Sequence, residues 1–398
     1  MMESIESDYD FSGVHASLDK YVRDDLLAMA AAVVLDGQDV VDFHMVGHQD
    51  REGELPIQVD SIYRIYSSTK LITSCAAMML WEEGKFSLDD PLSAYLPELD
   101  SLKVLKDGAD DPNSVEALES EPTVRQLMCH NAGFSYGLFA ESVVDALYTE
   151  AGVSAPASTL ADMIGKLADI PLSYQPGRRW QYSVSTDVLG RLIEVLSGQC
   201  FSEFLSRRVF EPLGMTDTDF HVPVGKRDRF CANYAPANML DPMQPGLSVV
   251  PDTLVGDYLE PKAMESGGGG LVSTIGDYTR FIQMIVGGGM RDDVRVLKPE
   301  TLDLMRTNQL PGGIRVQLPN WFMPDTVFGL GFAIKTAPRP GEGDAAIGEY
   351  HWGGMAGTHS WMSPSSGISG IVFTQRLPGF WHPFSHDFKR LVYQAVTP

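Results

Sequence analysis

The sequence has little positive charge and little cysteine. Its 398 residues include 30 Lys and Arg against 53 Asp and Glu, which gives a formal net charge of −23. Because nucleic acids and anionic membrane surfaces attract basic proteins, this balance argues against both as partners. The cysteines are widely separated and show no paired metal-ligand spacing; they are Cys75, Cys129, Cys200 and Cys231. This usage fits a reduced, cytoplasmic protein.

Long apolar runs and targeting signals are absent as well. No segment approaches the roughly 20 apolar residues that a membrane-spanning helix needs. Residues 1–10 are acidic and lack the basic-then-apolar pattern of a secretory signal, so we expect a cytoplasmic location. Apolar residues still make up 44% of the chain, which is enough for the core of one large domain or of two packed domains.

Motifs for metals and cofactors are weak. His44 and His48 form an H-x-x-x-H pattern, but they lie at the end of a strand pattern, where this spacing does not bring the two rings together. The glycine run at residues 267–270 lacks the Lys-Ser/Thr ending of a phosphate-binding loop. The run is more typical of close backbone packing. We therefore expect no metal and no cofactor.

The most informative positive feature is an S-x-x-K pattern formed by Ser67 and Lys70. Positions i and i+3 of a helix share one face, so the lysine nitrogen is expected near the serine hydroxyl. A serine is a weak nucleophile unless a neighbouring group accepts its proton, and the free N–H groups of a helix start stabilise an oxyanion. The bland alternative is that Ser67 is only an N-cap residue.

The segment after this pattern strengthens the chemical interpretation. Residues 71–80 are apolar on most faces, which predicts a helix buried inside the protein, and Gly84 supplies a helix stop. A polar Ser-Lys pair at the head of a buried helix must be satisfied by partners, and buried polar groups of this kind are often functional.

Strand patterns gather at the two ends of the chain. An Asp36-Gly37 turn between residues 31–35 and 40–43 predicts a hairpin. Further strands are predicted at residues 332–335, 348–353, 358–362 and 370–374, followed by a helix at 388–395. The region from 86 to 264 reads as mostly helical. The stretches 235–261 and 311–326 read as irregular loops that wall a pocket. These patterns predict an α+β fold in which helices flank an antiparallel sheet built from both chain ends.

A second serine motif needs a different interpretation. Residues 133–137 form G-x-S-x-G, the nucleophile-elbow pattern of α/β-hydrolases, which requires a strand before the serine. Residues 124–130 instead read as a short helix. Ser135 is therefore expected to be a loop residue near the pocket.

Several segments together resemble the serine β-lactamase-like superfamily, which includes class C β-lactamases, D-alanyl-D-alanine peptidases and family VIII carboxylesterases. The matching segments, in the family's order over about 300 residues, are YSSTK at 66–70, LDDPL at 88–92, TVRQL at 123–127, PL and PG at 171–172 and 176–177, YS and DVLG at 182–183 and 187–190, PLGM at 212–215, GGGGLVST at 267–274 and HWGG at 351–354. The family VIII esterases are the most similar subgroup. The resemblance implies a β-lactamase/transpeptidase-like fold, with residues 1–85 and 265–398 in an α/β domain, residues 86–264 in a mostly helical domain, and the active site in the cleft between them.

The resemblance also implies a catalytic set. Ser67 matches the nucleophile, Lys70 its helical partner, and Tyr182 the tyrosine of the family's Y-x-N motif. A phenol is a poor base at neutral pH, but an adjacent lysine cation favours its phenolate, which then accepts the serine proton. The backbone N–H groups of Ser67 and Met355 would form the oxyanion hole. The alternative for Tyr182 alone is an ordinary core tyrosine.

The third family motif departs from the β-lactamase pattern. Where K-T-G places a lysine that grips a substrate carboxylate, this chain has Trp352, followed by Gly353 and Gly354. Val184 replaces the asparagine of Y-x-N. Both changes favour neutral or apolar esters over anionic β-lactams. Gly354 is expected to let substrate approach the strand closely.

Two further residues are expected at the substrate site. Tyr136 is expected to line it, by analogy with the aromatic residue after the family's equivalent loop. His351 is expected to contact substrate, with a structural role in the strand as an equal alternative.

The sequence therefore predicts a serine carboxylesterase that cleaves neutral esters of short to medium acyl chains through an acyl-enzyme on Ser67. The alternatives are an acyltransferase that uses the same acyl-enzyme, a β-lactamase or D-amino-acid peptidase, and an inactive binding protein on this scaffold. The presence of Ser67, Lys70 and Tyr182 together argues against the last. The expected partner is a small-molecule ester.

Overall fold

A computed structural model describes residues 4–137, 142–252, 256–318, 323–380 and 382–396 of the chain. The helices of these ranges are α1 (Ser12–Arg23), α2 (Thr69–Glu82), α3 (Val124–Met128), α4 (Val143–Ala151), α5 (Leu160–Ala168), α6 (Ser185–Ser197), α7 (Phe201–Leu205), α8 (Glu211–Leu213), α9 (Ile275–Val286), α10 (Pro299–Met305) and α11 (Phe384–Val396). One 3₁₀ turn at Tyr66–Ser68 leads directly into α2.

The strands are short except for the first two. They are β1 (Met29–Asp36), β2 (Asp39–Asp50), β3 (Leu55–Pro56), β4 (Ile62–Arg64), β5 (Lys103–Leu105), β6 (Val115–Ala117), β7 (Tyr234–Pro236), β8 (Leu247–Val249), β9 (Val272–Thr274), β10 (Met290–Arg291), β11 (Val294–Arg295), β12 (Thr326–Phe328), β13 (Ala333–Lys335), β14 (Tyr350–Gly354), β15 (Thr358–Met362) and β16 (Ile368–Phe373).

Eight strands from both chain ends form one antiparallel sheet, in the order β12-β13-β14-β15-β16-β1-β2-β3. Strand β1 lies inside this sheet, and its apolar run is buried on both faces. Because side chains alternate along a strand, Ala31 and Val33 join the core that contains α2 and α9, whereas Ala32 and Val34 join the core beneath α1 and α11. The predicted α+β fold, with helices flanking an antiparallel sheet, is confirmed.

Most of the predicted elements are present. The β1–β2 hairpin turns at Gly37, which has a left-handed φ of 56°. The four predicted C-terminal strands correspond to β13–β16, and the terminal helix is longer than expected. Strand β12 differs from the prediction, because it begins at Thr326, at the end of a stretch predicted to be a loop. Its three residues are too few to show an alternating pattern in the sequence.

The predicted buried helix is also confirmed. Every residue of α2 from Thr69 to Leu80 is buried. Its polar start is satisfied by other parts of the chain, since the Ser68 hydroxyl donates to the Thr358 carbonyl at 2.8 Å and the Thr73 hydroxyl donates to the Gly267 carbonyl at 2.8 Å. The N-terminal end of this helix is therefore hydrogen-bonded on one side to strand β15 and on the other to the glycine run.

Residues 86–264 contain helices α3–α8 and two small strand pairs, β5–β6 and β7–β8. Capping boxes start three of these helices, at Thr123, Ser142 and Thr159. One apolar core joins this region to the sheet, because α6 packs on α2. The division into domains 1–85 with 265–398, and 86–264, remains our proposed reading of this architecture.

Across the described ranges, none of the helices is both long enough and apolar enough to span a bilayer. Two stretches that we expect to wall a pocket are described only in part, because residues 253–255 of the first and 319–322 of the second lie outside the described residues. All four cysteines are free thiols.

Candidate active site

The structure places Lys70 beside Ser67 as the S-x-x-K spacing predicts. The Lys70 ammonium donates to Ser67 Oγ at 3.3 Å and to the carbonyl oxygen of Gly268 at 2.5 Å. Lys70 is 2% exposed, so it is held by these contacts rather than by water. A buried ammonium with fixed acceptors is a positioned cation next to the serine oxygen.

Tyr182 completes the group from a distant part of the chain. Its hydroxyl donates to Ser67 Oγ at 2.6 Å, and the Lys70 nitrogen lies 4.6 Å from the centre of its ring. The backbone on both sides of Tyr182 is anchored: Gln181 donates to the His130 carbonyl at 3.0 Å and Val184 donates to the Ser135 carbonyl at 3.0 Å. Lys70 and Tyr182 are thus both within hydrogen-bond reach of the Ser67 oxygen.

Aromatic rings surround the Tyr182 side chain. Tyr136 stacks on it with ring centres 5.3 Å apart and planes 19° apart, and Trp352 lies 5.4 Å away. Phe328 makes an edge contact with Trp352 at 5.4 Å. The ring of His130 lies 5.1 Å from Tyr182, and burial, aided by the charge of Lys70, holds the pKa of His130 well below its ordinary value. Tyr182 is therefore held in an apolar wall with a neutral imidazole behind it.

The residue before the nucleophile is strained. Tyr66 has a φ of 42°, a left-handed conformation that is uncommon outside glycine. Its ring meets Tyr258 edge-on at 6.2 Å, and its hydroxyl accepts a hydrogen bond from Asn233 at 3.1 Å. Such strain persists only where surrounding contacts fix it, and it is frequent at functional sites. Neither Tyr66 nor Asn233 carries a signal in the sequence that would predict this role.

The glycine run supports the lysine, which the sequence interpretation did not foresee. Asp187 on α6 accepts hydrogen bonds from the Gly268 amide at 3.0 Å and from the Ser266 hydroxyl. A methyl group added at Gly268 would lie 2.6 Å from an Asp187 carboxylate oxygen, and one at Gly267 would lie 2.5 Å from the Thr186 carbonyl oxygen. The expectation of close backbone packing in this run is confirmed. In addition, the Gly268 carbonyl that this packing fixes is the acceptor for Lys70.

His351 of the HWGG motif lies on strand β14 and does not have the predicted position. Because side chains alternate along a strand, His351 points away from Trp352 and towards α11, where Lys389, Lys335, Arg339 and His386 surround it. Burial first, and then these cations, hold the pKa of His351 well below its ordinary value. The expected contact of His351 with substrate is therefore wrong, because its side chain lies on the face of the sheet that packs against α11.

The glycines after Trp352 make room for the protein itself. A methyl group at Gly354 would lie 2.3 Å from the Ile65 carbonyl oxygen, and one at Gly353 would lie 2.3 Å from the His359 ring. The need for glycine at 354, expected to be close approach of substrate, is corrected to close approach of the segment that carries Ser67. Backbone contact of Gly353 and Gly354 with substrate remains a prediction.

A pocket of about 200 Å³ opens in front of Ser67. Met355, directly after β14, lines the pocket with Ser67 and Tyr136, and its carbonyl accepts a hydrogen bond from the Gly379 amide at 2.7 Å. This bond fixes the peptide next to the Met355 N–H. The structure thus brings the two predicted oxyanion-hole residues to one cavity.

Ser135 has the environment of a structural residue. It is 1% exposed, its hydroxyl donates to Asp145, and it accepts a hydrogen bond from the Gln181 side chain at 2.8 Å. The segment before it is α3 rather than a strand, which confirms that the motif is not a nucleophile elbow. Asp145 also accepts from the Gly137 amide at 3.0 Å, so this network positions the intervening Tyr136.

Within the described ranges, no group of three or more His, Cys, Asp or Glu side chains is arranged to hold a metal ion. His44 does not turn towards His48; its ring nitrogen bonds to Asp19 on α1 at 2.7 Å, and its ring stacks on that of His15.

Comparison with known proteins agrees with this architecture. A family model described as Beta-lactamase matches residues 16–393. Esterase EstB of Burkholderia gladioli is 30% identical over 372 residues, which cover 90% of this chain and 88% of that protein. Protein Rv1367c of Mycobacterium tuberculosis is 31% identical over 374 residues, which cover 92% of this chain and 90% of that protein.

Solved structures show the same fold. The structure of EstCE1, described as a hydrolase with promiscuous acyltransferase activity, matches with a TM-score of 0.80 at 23% identity and covers 96% of this chain and 97% of that one. Simvastatin synthase from Aspergillus terreus also matches with a TM-score of 0.80 at 23% identity and covers 96% and 98% of the two chains. With a family model that spans nearly its whole length and a relative 30% identical over nine tenths of it, the protein belongs to the Beta-lactamase family.

Proposed function

We propose that this protein is a serine carboxylesterase that works through an acyl-enzyme on Ser67. The observation that carries the proposal is the convergence of Lys70 and Tyr182 on Ser67 Oγ, at 3.3 Å and 2.6 Å. A nucleophile within hydrogen-bond reach of a base, with a cation beside that base, is the arrangement that activates a serine. The named function of EstB, an esterase of this family, supports the same class of reaction.

In the acylation step, Ser67 Oγ forms a bond to the ester carbonyl carbon while its proton passes to the oxygen of Tyr182. The Lys70 nitrogen lies 4.6 Å from the centre of the Tyr182 ring, which places a positive charge beside the group that accepts this proton. The carbonyl oxygen becomes an oxyanion, and the backbone N–H groups of Ser67 and Met355 donate to it. When the carbon–alcohol bond breaks, Tyr182 returns the proton to the departing alcohol oxygen, and the acyl-enzyme remains.

Deacylation reverses these roles with water as the attacking group. Water gives a proton to Tyr182 and its oxygen bonds to the acyl carbon, which restores the oxyanion. The bond to Ser67 Oγ then breaks, and Ser67 takes the proton back from Tyr182. Tyr182 thus acts as both general base and general acid in acylation and in deacylation.

The proposed substrates are short-to-medium-chain esters with no charge beside the reacting carbonyl. Trp352 lies against Tyr182 where the resemblance expects a carboxylate-binding lysine, and it presents apolar area with a single N–H donor. Val184 is fully buried and offers no amide to a substrate. A neutral ester binds favourably against this apolar surface, whereas the carboxylate of a β-lactam would lose its hydration there without gaining a charged partner.

Acyl transfer to an alcohol or amine is the second candidate, because it uses the same acyl-enzyme. The acyltransferase activity named for EstCE1, alongside its activity as a hydrolase, supports testing it. We further propose membership of family VIII on the basis of the motif departures, and a cytoplasmic location on the basis of the scattered cysteines. A small-molecule ester is the proposed partner, and the net charge of −23 supports the absence of a nucleic-acid or membrane partner.

A graded panel of 4-nitrophenyl esters, run beside a chromogenic cephalosporin, tests this proposal. We expect hydrolysis of the acetate to octanoate esters with cephalosporin turnover at least a hundredfold slower. Repeating the best ester with added alcohol and analysing the products separates hydrolysis from transfer. A protein that cleaves no ester, or cleaves the cephalosporin as fast as its best ester, would contradict the proposed activity or its specificity, respectively.

A further inference from the structure

One ammonium group in the Ser67 pocket has no role in the proposed acyl-enzyme chemistry. Lys262 lines the same cavity of about 200 Å³ as Ser67, Tyr66 and Met355. The lysine is half-buried, and its nitrogen lies 4.1 Å from the centre of the Tyr258 ring. Tyr258 in turn packs against Tyr66, so Lys262 is connected to the nucleophile by two ring contacts.

Lys262 differs from the other lysines that are removed from solvent. Among the residues that the structure describes, the remaining buried or half-buried lysines each donate to a carboxylate, carbonyl or hydroxyl oxygen; they are Lys70, Lys166, Lys226, Lys335 and Lys389. Within those same ranges Lys262 donates to no oxygen and pairs with no carboxylate inside 4.0 Å. An ammonium that is partly desolvated and has only an aromatic partner is stabilised when an anion binds to it.

The neighbouring charges leave that position open to an anion. Asp252 is engaged in an ion pair with the buried Arg64, and Asp257 is exposed and accepts from the Leu259 amide at 2.8 Å. Burial holds the pKa of Lys262 below its ordinary value, and the attraction of Asp257 opposes this. A bound carboxylate would act in the same direction as Asp257 and stabilise the charged lysine.

We propose that Lys262 is a substrate-binding residue that recognises a carboxylate carried by the ester at a distance from the reacting carbonyl. The inference rests on the proposed esterase function and refines its substrate class. Trp352 stands where the family's lysine cation would lie on strand β14, and Lys262 supplies a cation from the segment before the glycine run. The preferred esters are then uncharged near the carbonyl and anionic at their far end.

The carboxylate can belong to the acyl half or to the alcohol half of the ester, and two matched substrate pairs distinguish these sources. The acyl pair is 4-nitrophenyl hydrogen glutarate with its methyl ester. The alcohol pair is 4-(butyryloxy)benzoate with its methyl ester. In each pair, the ratio of kcat/KM for the anionic to the neutral member is compared between wild type and variant, so that intrinsic reactivity cancels.

In Lys262→Met, which keeps the length of the side chain but removes its charge, we expect this ratio to fall by about fivefold to tenfold for at least one pair, the scale of a partly solvated charged hydrogen bond. Lys262→Arg should retain most of it. The matched control is Lys85→Met, which removes an exposed charge just beyond the far end of α2 and should leave both ratios unchanged. Helix α2 has 14 residues and is about 21 Å long at 1.5 Å of rise per residue, and Ser67 lies at its other end.

The outcomes separate this inference from the function on which it rests. If wild type cleaves the neutral esters and the anionic-to-neutral ratio is the same in Lys262→Met for both pairs, anion recognition by Lys262 is overturned. The esterase function is then unaffected. A wild type that cleaves neither member of either pair would overturn the esterase and this inference together. An equal loss in Lys85→Met would show a long-range charge effect and would also overturn a specific site.

Discussion

The hydroxyl of Tyr182 lies 2.6 Å from Ser67 Oγ, although the two residues are 115 positions apart in the sequence. The contact joins the start of the buried helix α2 to the loop before α6, and these two helices pack on each other. Helix packing therefore sets the distance over which the proposed proton transfer occurs. A shift of about 1 Å at this junction is expected to slow such a step by about a hundredfold.

The first prediction concerns the coupling of Lys70 and Tyr182. Lys70→Ala and Tyr182→Phe should each cost at least about 3 kcal/mol of transition-state stabilisation, the scale for losing an essential acid–base group. Because both act in one proton transfer, the double variant should be hardly slower than either single one. Steady-state kinetics on one ester measures all four enzymes. Additive losses would mean that the two residues act independently.

The second prediction concerns Asp187, which supports Lys70 through Gly268 and accepts a hydrogen bond from Ser266, a residue that lines the pocket. Asp187→Ala should lower kcat at least about tenfold, because the Gly268 carbonyl that receives Lys70 loses its anchor, with about 1–3 kcal/mol of stability lost from unpaired buried groups. Asp187→Asn, which still accepts a hydrogen bond, should recover part of kcat. Glu194→Ala on the same helix, which breaks only an ion pair with Arg191, is the control. Full activity of Asp187→Ala per folded molecule would refute the positioning role.

The third prediction concerns Trp352. Trp352→Lys should lower kcat/KM for apolar esters about tenfold, since it removes the buried indole that packs against Tyr182 and Phe328. Trp352→Phe should keep most of the activity, because it preserves an aromatic wall. The lysine variant is also expected to bind a cephalosporin more tightly than wild type does, as measured by competition against ester hydrolysis. Rapid cephalosporin hydrolysis by the wild type would sink the specificity argument and leave the Ser67 mechanism intact.

The fourth prediction concerns stability in acid. Burial, with a smaller contribution from Arg376, lowers the pKa of the fully buried His382 to about 3. The unfolded chain binds a proton at this residue below about pH 6.5 and the folded chain does not, so folding stability falls as the pH drops from about 6.5 towards 3. Between pH 7 and pH 5, wild type should therefore lose about 2 kcal/mol more folding free energy than His382→Phe, which has no proton to bind at this position. Urea unfolding at both pH values measures it, and a constant difference would contradict the assignment.

The sequence predicted the parts of this protein that have local patterns. The β1–β2 hairpin has a turn dipeptide between two β-rich runs, α2 has a continuous apolar run, and Ser67 and Lys70 are separated by one helical turn. These features depend on neighbours within a few positions, so the residue types alone indicate them. The placement of Tyr182 came from the family resemblance and not from any local pattern.

What the sequence could not provide depends on contacts between distant segments. The expectation for His351 was wrong because the direction of a strand side chain follows from which face meets α11, and no residue near it specifies that face. The role of Gly268 depends on a carbonyl oxygen, which every residue has. Tyr66, with its left-handed φ, likewise contacts Tyr258 and Asn233, which lie far along the chain.

The most direct test of the proposed mechanism is the site of covalent labelling by a fluorophosphonate probe. Wild type should gain one adduct by intact mass, and peptide mapping should place it on Ser67. Ser67→Ala should take up no probe and cleave no ester. Ser135→Ala should still be labelled and retain most of its activity, since Ser135 is buried and hydrogen-bonded to Asp145. An adduct on Ser135 or elsewhere with Ser67 unmodified, or undiminished ester hydrolysis by Ser67→Ala, would contradict the assignment of the nucleophile.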